Sequence, residues 1–137
     1  MSLVLDASAT LAWLYPEEIT DAIRAVFDQV GDEGAWVPGL WPIEVVNSLC
    51  VSLRKGRITP QRRRKSLIDL KQLLISCDDQ TGDHAWGRTL ELADRRQLTV
   101  YDATYLELAL RLSLPLATLD DDLHQAAQRE GIPLLGI

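Results

Sequence analysis

Leu3-Val4-Leu5-Asp6-Ala7-Ser8 is an apolar run that stops abruptly on a carboxylate and a hydroxyl. Continuous apolar character, rather than alternation, marks a strand buried on both faces of a parallel sheet. Three later stretches place an acid in similar company. They are Glu44 in Trp41-Pro42-Ile43-Glu44-Val45-Val46-Asn47, Asp102 in Val100-Tyr101-Asp102-Ala103-Thr104-Tyr105, and Asp120 in Ala117-Thr118-Leu119-Asp120-Asp121-Asp122. An unpaired charge beside apolar residues is costly to desolvate. If the four acids meet in space, they need a cation.

Working outward from that first strand, Ser8 is expected to cap a helix through Leu11, Trp13 and Leu14 that stops before Pro16. Glu17 to Val30 reads as a second helix, with Ile19, Ala22, Ile23, Val26 and Val30 at spacings of three and four and Gly31 beyond its end. Ala35-Trp36-Val37 is a short strand closed by Pro38-Gly39. Pro42 suits the first turn of a helix over Ile43 to Arg54, on which Glu44, Asn47, Ser48 and Val51 share one face. Val46, Leu49, Cys50 and Leu53 are the opposing apolar stripe. Gly56 ends that helix, and Thr59-Pro60 starts the next, which carries Leu67, Leu70 and Leu74. A strand near Leu74 to Cys77 overlaps its end. Asp83 to Arg96 reads as an amphipathic helix through Ala85, Trp86, Leu90 and Ala93. Asp102 opens another, with Tyr105, Leu106, Ala109 and Leu112 following. Leu114 to Ala117 is a strand, Asp120 to Arg129 a helix, and Pro133-Leu134-Leu135 a closing strand. Strands alternating with helices specify a parallel α/β sheet covered on both faces.

With 137 residues, 47% apolar and 25% charged, the chain has the size and mix of one globular domain spanning 1–137. No apolar stretch approaches the roughly 20 residues a bilayer requires, so no membrane partner is expected. The N-terminus has no basic n-region and no cleavage site, so no secretory signal is read. Cys50 and Cys77 fall in stretches read as helical and lack metal-ligand spacing. They are expected as buried free thiols of a cytoplasmic protein. Net charge is −6 and the pI about 4.8, which argues against a nucleic-acid partner at face value. The distribution argues differently, because Arg54, Lys55, Arg57, Arg62, Arg63, Arg64 and Lys65 lie between Glu44 and Asp69 with no acid among them. That stretch is either two solvated helix ends or a surface that contacts RNA phosphates.

In open parallel sheets, ligands sit outside the carboxyl ends of the strands. Asp6 and Asp120 each stand where a strand gives way to a helix, Asp102 at a helix N-terminus, and Glu44 one turn inside its helix. Clustered carboxylates raise one another's pKa, and a divalent ion removes the conflict. Mg²⁺ fits an all-oxygen set and keeps several waters; Mn²⁺ suits the same ligands. His84 and His124 read as surface helix residues outside the acidic stretches. Carboxylate-bound Mg²⁺ beside a basic surface points to phosphodiester hydrolysis. Each acid also has an ordinary reading: a turn residue at Asp6, helix caps at Asp102 and at Asp120, Asp121 or Asp122, a first-turn glutamate at Glu44, and a surface amide at Asn47.

Taken together, Asp6 with Ser8, Glu44 with Asn47, Tyr-Asp-Ala at Asp102, and Thr118-Leu119-Asp120 after a strand resemble the PIN-domain ribonucleases, and within them the VapC toxins of toxin–antitoxin pairs. The resemblance runs from Leu3 to the final strand. It implies a three-layer α/β/α sandwich with a short central parallel sheet, and an endoribonuclease that uses Mg²⁺ or Mn²⁺ with water as nucleophile. It also implies Asp6 and Asp102 as principal metal ligands, Glu44 and Asp120 completing the catalytic site, and Ser8, Asn47 and Thr118 as hydrogen-bonding support. Asp122 is the alternate for the fourth acid. A small antitoxin lying along a groove near the first helices, and a homodimer, are implied as well. Trp13, Tyr15, Trp36 and Trp41 near that region are either core aromatics or partner anchors. A receiver-type or haloacid-type phosphotransfer protein needs a downstream lysine, and the chain has lysine only at 55, 65 and 71. The remaining alternative is a catalytically silent PIN-like scaffold that binds RNA or protein. Its usual mark is the loss of a site acid, and here all four remain.

Overall fold

Apolar segments of two or three residues are enough to build the sheet, because the central ones are buried between helices and all are paired on their backbones. The computed structural model describes residues 1–137. In it β1 (Val4–Leu5), β2 (Ala35–Val37), β3 (Ile75–Cys77), β4 (Leu116–Ala117) and β5 (Leu134–Leu135) form one parallel sheet in the order β3-β2-β1-β4-β5. Val4 pairs with Trp36 on one side and Leu116 on the other, and Leu5 pairs with Ala117. Hydrogen bonding continues past the strand ends, with the Asp6 N–H donating to the Ala117 carbonyl at 3.0 Å. Helices cover the sheet in an α/β/α sandwich. They are α1 (Ala7–Leu14), α2 (Asp21–Glu33), α3 (Trp41–Arg54), α4 (Pro60–Lys71), α5 (Thr81–His84), α6 (Leu90–Arg96), α7 (Val100–Leu112) and α8 (Asp121–Arg129). One group packs α1 on α2 and α3, and another packs α7 on α6 and α8. The core is continuous, from Leu3, Val4 and Leu5 through Leu106 and Leu108 to Leu116 and Leu123. No helix is long and apolar enough to cross a membrane.

Several local expectations are corrected. Helix α1 begins at Ala7, so Asp6 holds the N-cap position and Ser8 lies inside the first turn, its hydroxyl used elsewhere. Glu17 sits in a single 3₁₀ turn, Pro16–Glu18, and α2 starts only after Thr20, whose Oγ1 accepts from the Ile23 N–H. Gly31 lies within α2. The helix stops at Gly34, whose φ of 78° favours glycine and whose added Cβ would lie 2.8 Å from the Leu74 carbonyl oxygen. On α3 the buried face is Trp41, Val45 and Leu49, while Val46 is exposed. Cys77 belongs to β3 and is exposed, and Cys50 is half-buried, so neither is a fully buried thiol. Between α5 and α6 the backbone makes a π turn over Ala85–Thr89. Its longer hydrogen-bond loop displaces the apolar phase by a residue. Thr89, Leu92 and Ala93 turn inward as a result, and Trp86 is left 94% exposed.

Among the aromatics near α1, Tyr15 and Trp41 are buried. Trp13 stacks on Phe27 with ring centroids 4.4 Å apart.

At the far end of α7, Arg111 ties the helix to the loop after β3. Its guanidinium grips Asp78 through Nη1 at 3.1 Å and Nη2 at 2.7 Å, and donates from Nε to Glu107 at 2.8 Å. Both acids are buried. The Arg111 bond holds the Asp78 carboxyl below its ordinary range, with Thr81 adding a hydroxyl donor. Arg111→Met should therefore destabilise the fold by about 3–5 kcal/mol, since two buried carboxylates lose their only cation. Because the Asp78 pKa is lowered, that stabilisation is present above pH 4 and disappears as pH falls through the lowered value. Urea denaturation at pH 7 and pH 3 checks both points, the gap between variant and parent narrowing at the lower pH.

Candidate active site

The strand order reverses its direction of growth at β1, with β2 to one side and β4 to the other. The crevice outside the carboxyl ends of β1 and β4 is the expected ligand position in such a sheet. Asp6 follows β1 directly, and Thr118 follows β4. Both are buried. Thr118 Oγ1 donates to Asp6 Oδ2 at 2.7 Å and accepts from the Asp120 N–H at 3.0 Å. Ser8 Oγ donates to the same Asp6 oxygen at 2.6 Å and accepts from the Leu119 N–H at 2.9 Å. Two hydroxyls thus fasten β1, α1 and the loop after β4 to one carboxylate oxygen. The Asp6 carbonyl is held as well: it accepts from Thr10 Oγ1 at 3.0 Å, which in turn accepts from the Trp41 indole N–H at 3.0 Å. That chain sets the start of α3 against α1.

One turn further along α3, Glu44 Oε1 accepts a 2.6 Å hydrogen bond from the hydroxyl of Tyr105 on α7. Tyr105 is otherwise enclosed in the core. Three residues before it on α7, Asp102 sits in the first turn. Thr99 caps that helix, accepting from the Asp102 N–H at 3.1 Å, so the Asp102 carboxylate is not a cap. Asp120 is one: its Oδ1 accepts from the Leu123 N–H at 2.9 Å. Asp122 is exposed in the first turn of α8.

A common pattern emerges. Asp6, Glu44 and Asp120 each have one oxygen held by a hydrogen bond, while Asp6 Oδ1, Glu44 Oε2 and Asp120 Oδ2 carry no side-chain donor. Neither Asp102 oxygen accepts a hydrogen bond, and no Lys, Arg or His forms an ion pair with any of the four. Burial, followed by the charges of Asp120, Asp6, Glu44 and Asp122 in that order, pushes Asp102 up to about 6. Burial also raises Asp6 and Glu44, against the opposing hydrogen bonds from Ser8 and Thr118 to the first and from Tyr105 to the second. The acids share a field rather than a finished cage: no three His, Cys, Asp or Glu side chains stand at metal-holding spacing. An all-oxygen set with free lone pairs and no cation fits a hard divalent ion that keeps part of its water shell.

Of the remaining residues singled out from the sequence, Asn47 is exposed on α3 and lines a groove with Ser8. The basic stretch divides. Arg57 pairs with Glu18 at 2.7 Å, Lys65 with Asp69 at 2.9 Å, Arg62 donates to the Leu14 carbonyl and Arg63 reaches Cys50 Sγ. Arg54, Lys55 and Arg64 make no such contact. Sequence reasoning missed Tyr105, which was read as an apolar position. Its place three residues after Asp102 on an inward face was the available signal, because a buried phenol needs a partner.

A parallel sheet covered on both faces, with uncompensated acids outside its switch point, defines a compact acid-site α/β domain of the PIN kind. The chain matches the PIN domain over residues 3–129 and belongs to that family. It is 29% identical over 125 residues to a ribonuclease named VapC3 from Pyrobaculum aerophilum, covering 91% of this chain and 94% of that one. Its fold is that of PAE2754 from Pyrobaculum aerophilum, with a TM-score of 0.64 at 23% identity, covering 92% of this chain and 84% of the other. It is also that of FitAcB from Neisseria gonorrhoeae, with a TM-score of 0.62 at 17% identity, covering 98% and 96%.

Two outcomes follow from these charges. The raised Asp102 pKa gives a contribution to metal-free stability that is fully present below the ordinary carboxylate range and is lost as pH rises through about 6. Asp102→Asn should raise the melting temperature in chelator at pH 8 and flatten its pH dependence between 4 and 7, read by thermal melts. Tyr105→Phe should cost about 1.5–3 kcal/mol in urea titrations, from the loss of a hydrogen bond to a charged group. The loss should be greater at pH 8, where Glu44 is ionised, than at pH 4.

Proposed function

We propose that the chain is a metal-dependent endoribonuclease that hydrolyses RNA phosphodiester bonds, and the toxin member of a toxin–antitoxin pair. The observation that carries the reading is the set of four carboxylates with no cationic neighbour, three of them with one oxygen held by a hydrogen bond and Asp102 with none. The ribonuclease relative and the resemblance to VapC toxins support RNA as the substrate. Asp6 and Asp102 would hold Mg²⁺ or Mn²⁺ through their free oxygens, with Glu44 and Asp120 completing the negative site. When bound, the ion neutralises phosphate charge and lowers the pKa of water. Ser8 and Thr118 orient Asp6 and oppose the rise in its pKa that burial causes. Tyr105 keeps Glu44 turned toward the crevice, where the carboxylate can take a proton from attacking water. Lys55, with Arg54 and Arg64, supplies cations that are free for the RNA backbone. The partners in this reading are RNA, a small antitoxin covering the site and a second copy of the chain, all acting in the cytoplasm.

Incubating purified chain with total cellular RNA and mapping new ends tests it. Discrete cuts are expected with Mg²⁺ or Mn²⁺, none with chelator, and at least about a hundredfold fewer with Asp102→Asn, in keeping with the loss of a transition-state charge contact. Absence of cutting by folded, antitoxin-free protein would favour the binding scaffold.

A further inference from the structure

Helices α2, α4, α7 and α8 each begin at a side-chain cap, supplied by Thr20, Thr59, Thr99 and Asp120 respectively. Helices α1 and α3 have none, although Asp6 stands at the start of one and Glu44 in the first turn of the other. What joins these two starts is a chain of buried groups. The Trp41 indole N–H donates to Thr10 Oγ1 at 3.0 Å, and Thr10 Oγ1 donates to the Asp6 carbonyl at 3.0 Å. An indole can only donate and a hydroxyl has one proton, so the direction of both bonds is fixed. Thr10, Trp41 and Asp6 are all buried. Loss of the Thr10 hydroxyl would leave the indole N–H enclosed without its acceptor, a cost the helix can relieve only by moving.

Trp41 is the first residue of α3, and Glu44 lies three residues on, on the same side of the helix. Pro42 between them has its φ set by its ring, which stiffens the turn. A shift of Trp41 therefore carries Glu44 with it. The Glu44 carboxylate is gripped at its tip by Tyr105 on α7, whereas its backbone is placed from α1 through Trp41. At the other end of the chain is the carbonyl of Asp6, whose carboxylate is held by Ser8 and Thr118.

We infer that Thr10 and Trp41 are positioning residues of the acidic site: the indole–hydroxyl–carbonyl chain fixes Glu44 relative to Asp6, and that spacing sets the affinity for a divalent cation. The inference rests on the metal-dependent reading and adds what holds two of its acids in register. Groups that orient metal ligands from behind commonly change affinity by about 10- to 100-fold when removed. A bond that only packs the core would cost stability alone.

Two substitutions at one position separate the hydroxyl from the bulk. Thr10→Val keeps the volume and loses the hydroxyl, while Thr10→Ser keeps the hydroxyl and loses a methyl. Trp41→Phe removes the N–H at the other end. Binding of Mn²⁺ to the full chain without RNA is measured by isothermal titration calorimetry, and every protein is melted in chelator. Thr10→Val and Trp41→Phe should each weaken Mn²⁺ binding about tenfold, and Thr10→Ser should bind like the parent. The double variant Thr10→Val/Trp41→Phe should also lose about tenfold rather than about a hundredfold, because both changes cut the same chain. All three single variants should lower the melting temperature, so stability and affinity part company at Thr10→Ser. If Thr10→Val fails to fold, Trp41→Phe beside Thr10→Ser carries the test. Parental Mn²⁺ affinity in Thr10→Val and Trp41→Phe overturns the inference. So does a loss at Thr10→Ser equal to that at Thr10→Val, which assigns the effect to packing. Either result leaves the ribonuclease reading standing. A parent chain that binds neither Mn²⁺ nor Mg²⁺ removes the inference together with the metal-dependent reading.

Discussion

Everything at the carboxyl edge of this sheet answers to one constraint: negative charge has been gathered where water is scarce and no basic side chain offsets it. Asp6 is buried at the end of the central strand, and Asp102, Glu44 and Asp120 add their fields to it. The protein reduces the cost with neutral donors alone. Ser8, Thr118 and Tyr105 each place a hydroxyl on a carboxylate oxygen, which favours the ionised form without supplying positive charge. Those hydroxyls also link β1, α1, α3, α7 and the loop after β4, so the charge cluster and the packing of the elements around it are a single arrangement.

The charges of the molecule are sorted rather than mixed. Where a buried acid is structural, as at Asp78 and Glu107, it has an arginine. Where acids converge on the crevice, arginine and lysine are absent, although seven basic residues follow Glu44 closely along the chain. This contrast separates a stabilising ion pair from a cluster of acids with no basic partner. A protein of net charge −6 thus keeps the basic residues of the stretch after Glu44 away from its clustered acids.

Much of this was legible in the amino-acid order. Continuous apolar runs ending on Asp6 and near Asp120 identified strands, and the rule that ligands sit beyond strand ends identified the edge. Pro42, Thr59 and Gly56 punctuated α3 and α4 as their chemistry requires. What escaped was whatever depends on three-dimensional partners. Helical spacing described Tyr105 as apolar, because periodicity reports which face is buried and not what a hydroxyl meets at its tip. Ser8 looked like a cap because a serine after a strand often is one, yet Asp6 took that position and Ser8 turned to Asp6 and Leu119. Trp86 was placed inward by a regular 3.6-residue period, which the π turn interrupts. Strand boundaries shrank because pairing, rather than apolarity, decides where a strand ends.

The backbone hydrogen bond from Asp6 to Ala117 has a kinetic meaning. The amide of the buried acid belongs to the sheet's own ladder, between strands only two residues long, so it cannot open while the ladder stays closed. A region with so little independent backbone has no local unfolding route of its own. In hydrogen-exchange language the Asp6 amide reports global opening, whereas the helix ends that supply Asp102 and Asp120 can fray separately. The domain thus ties its central acid to the sheet's own ladder and mounts the other acids on the starts of helices around it.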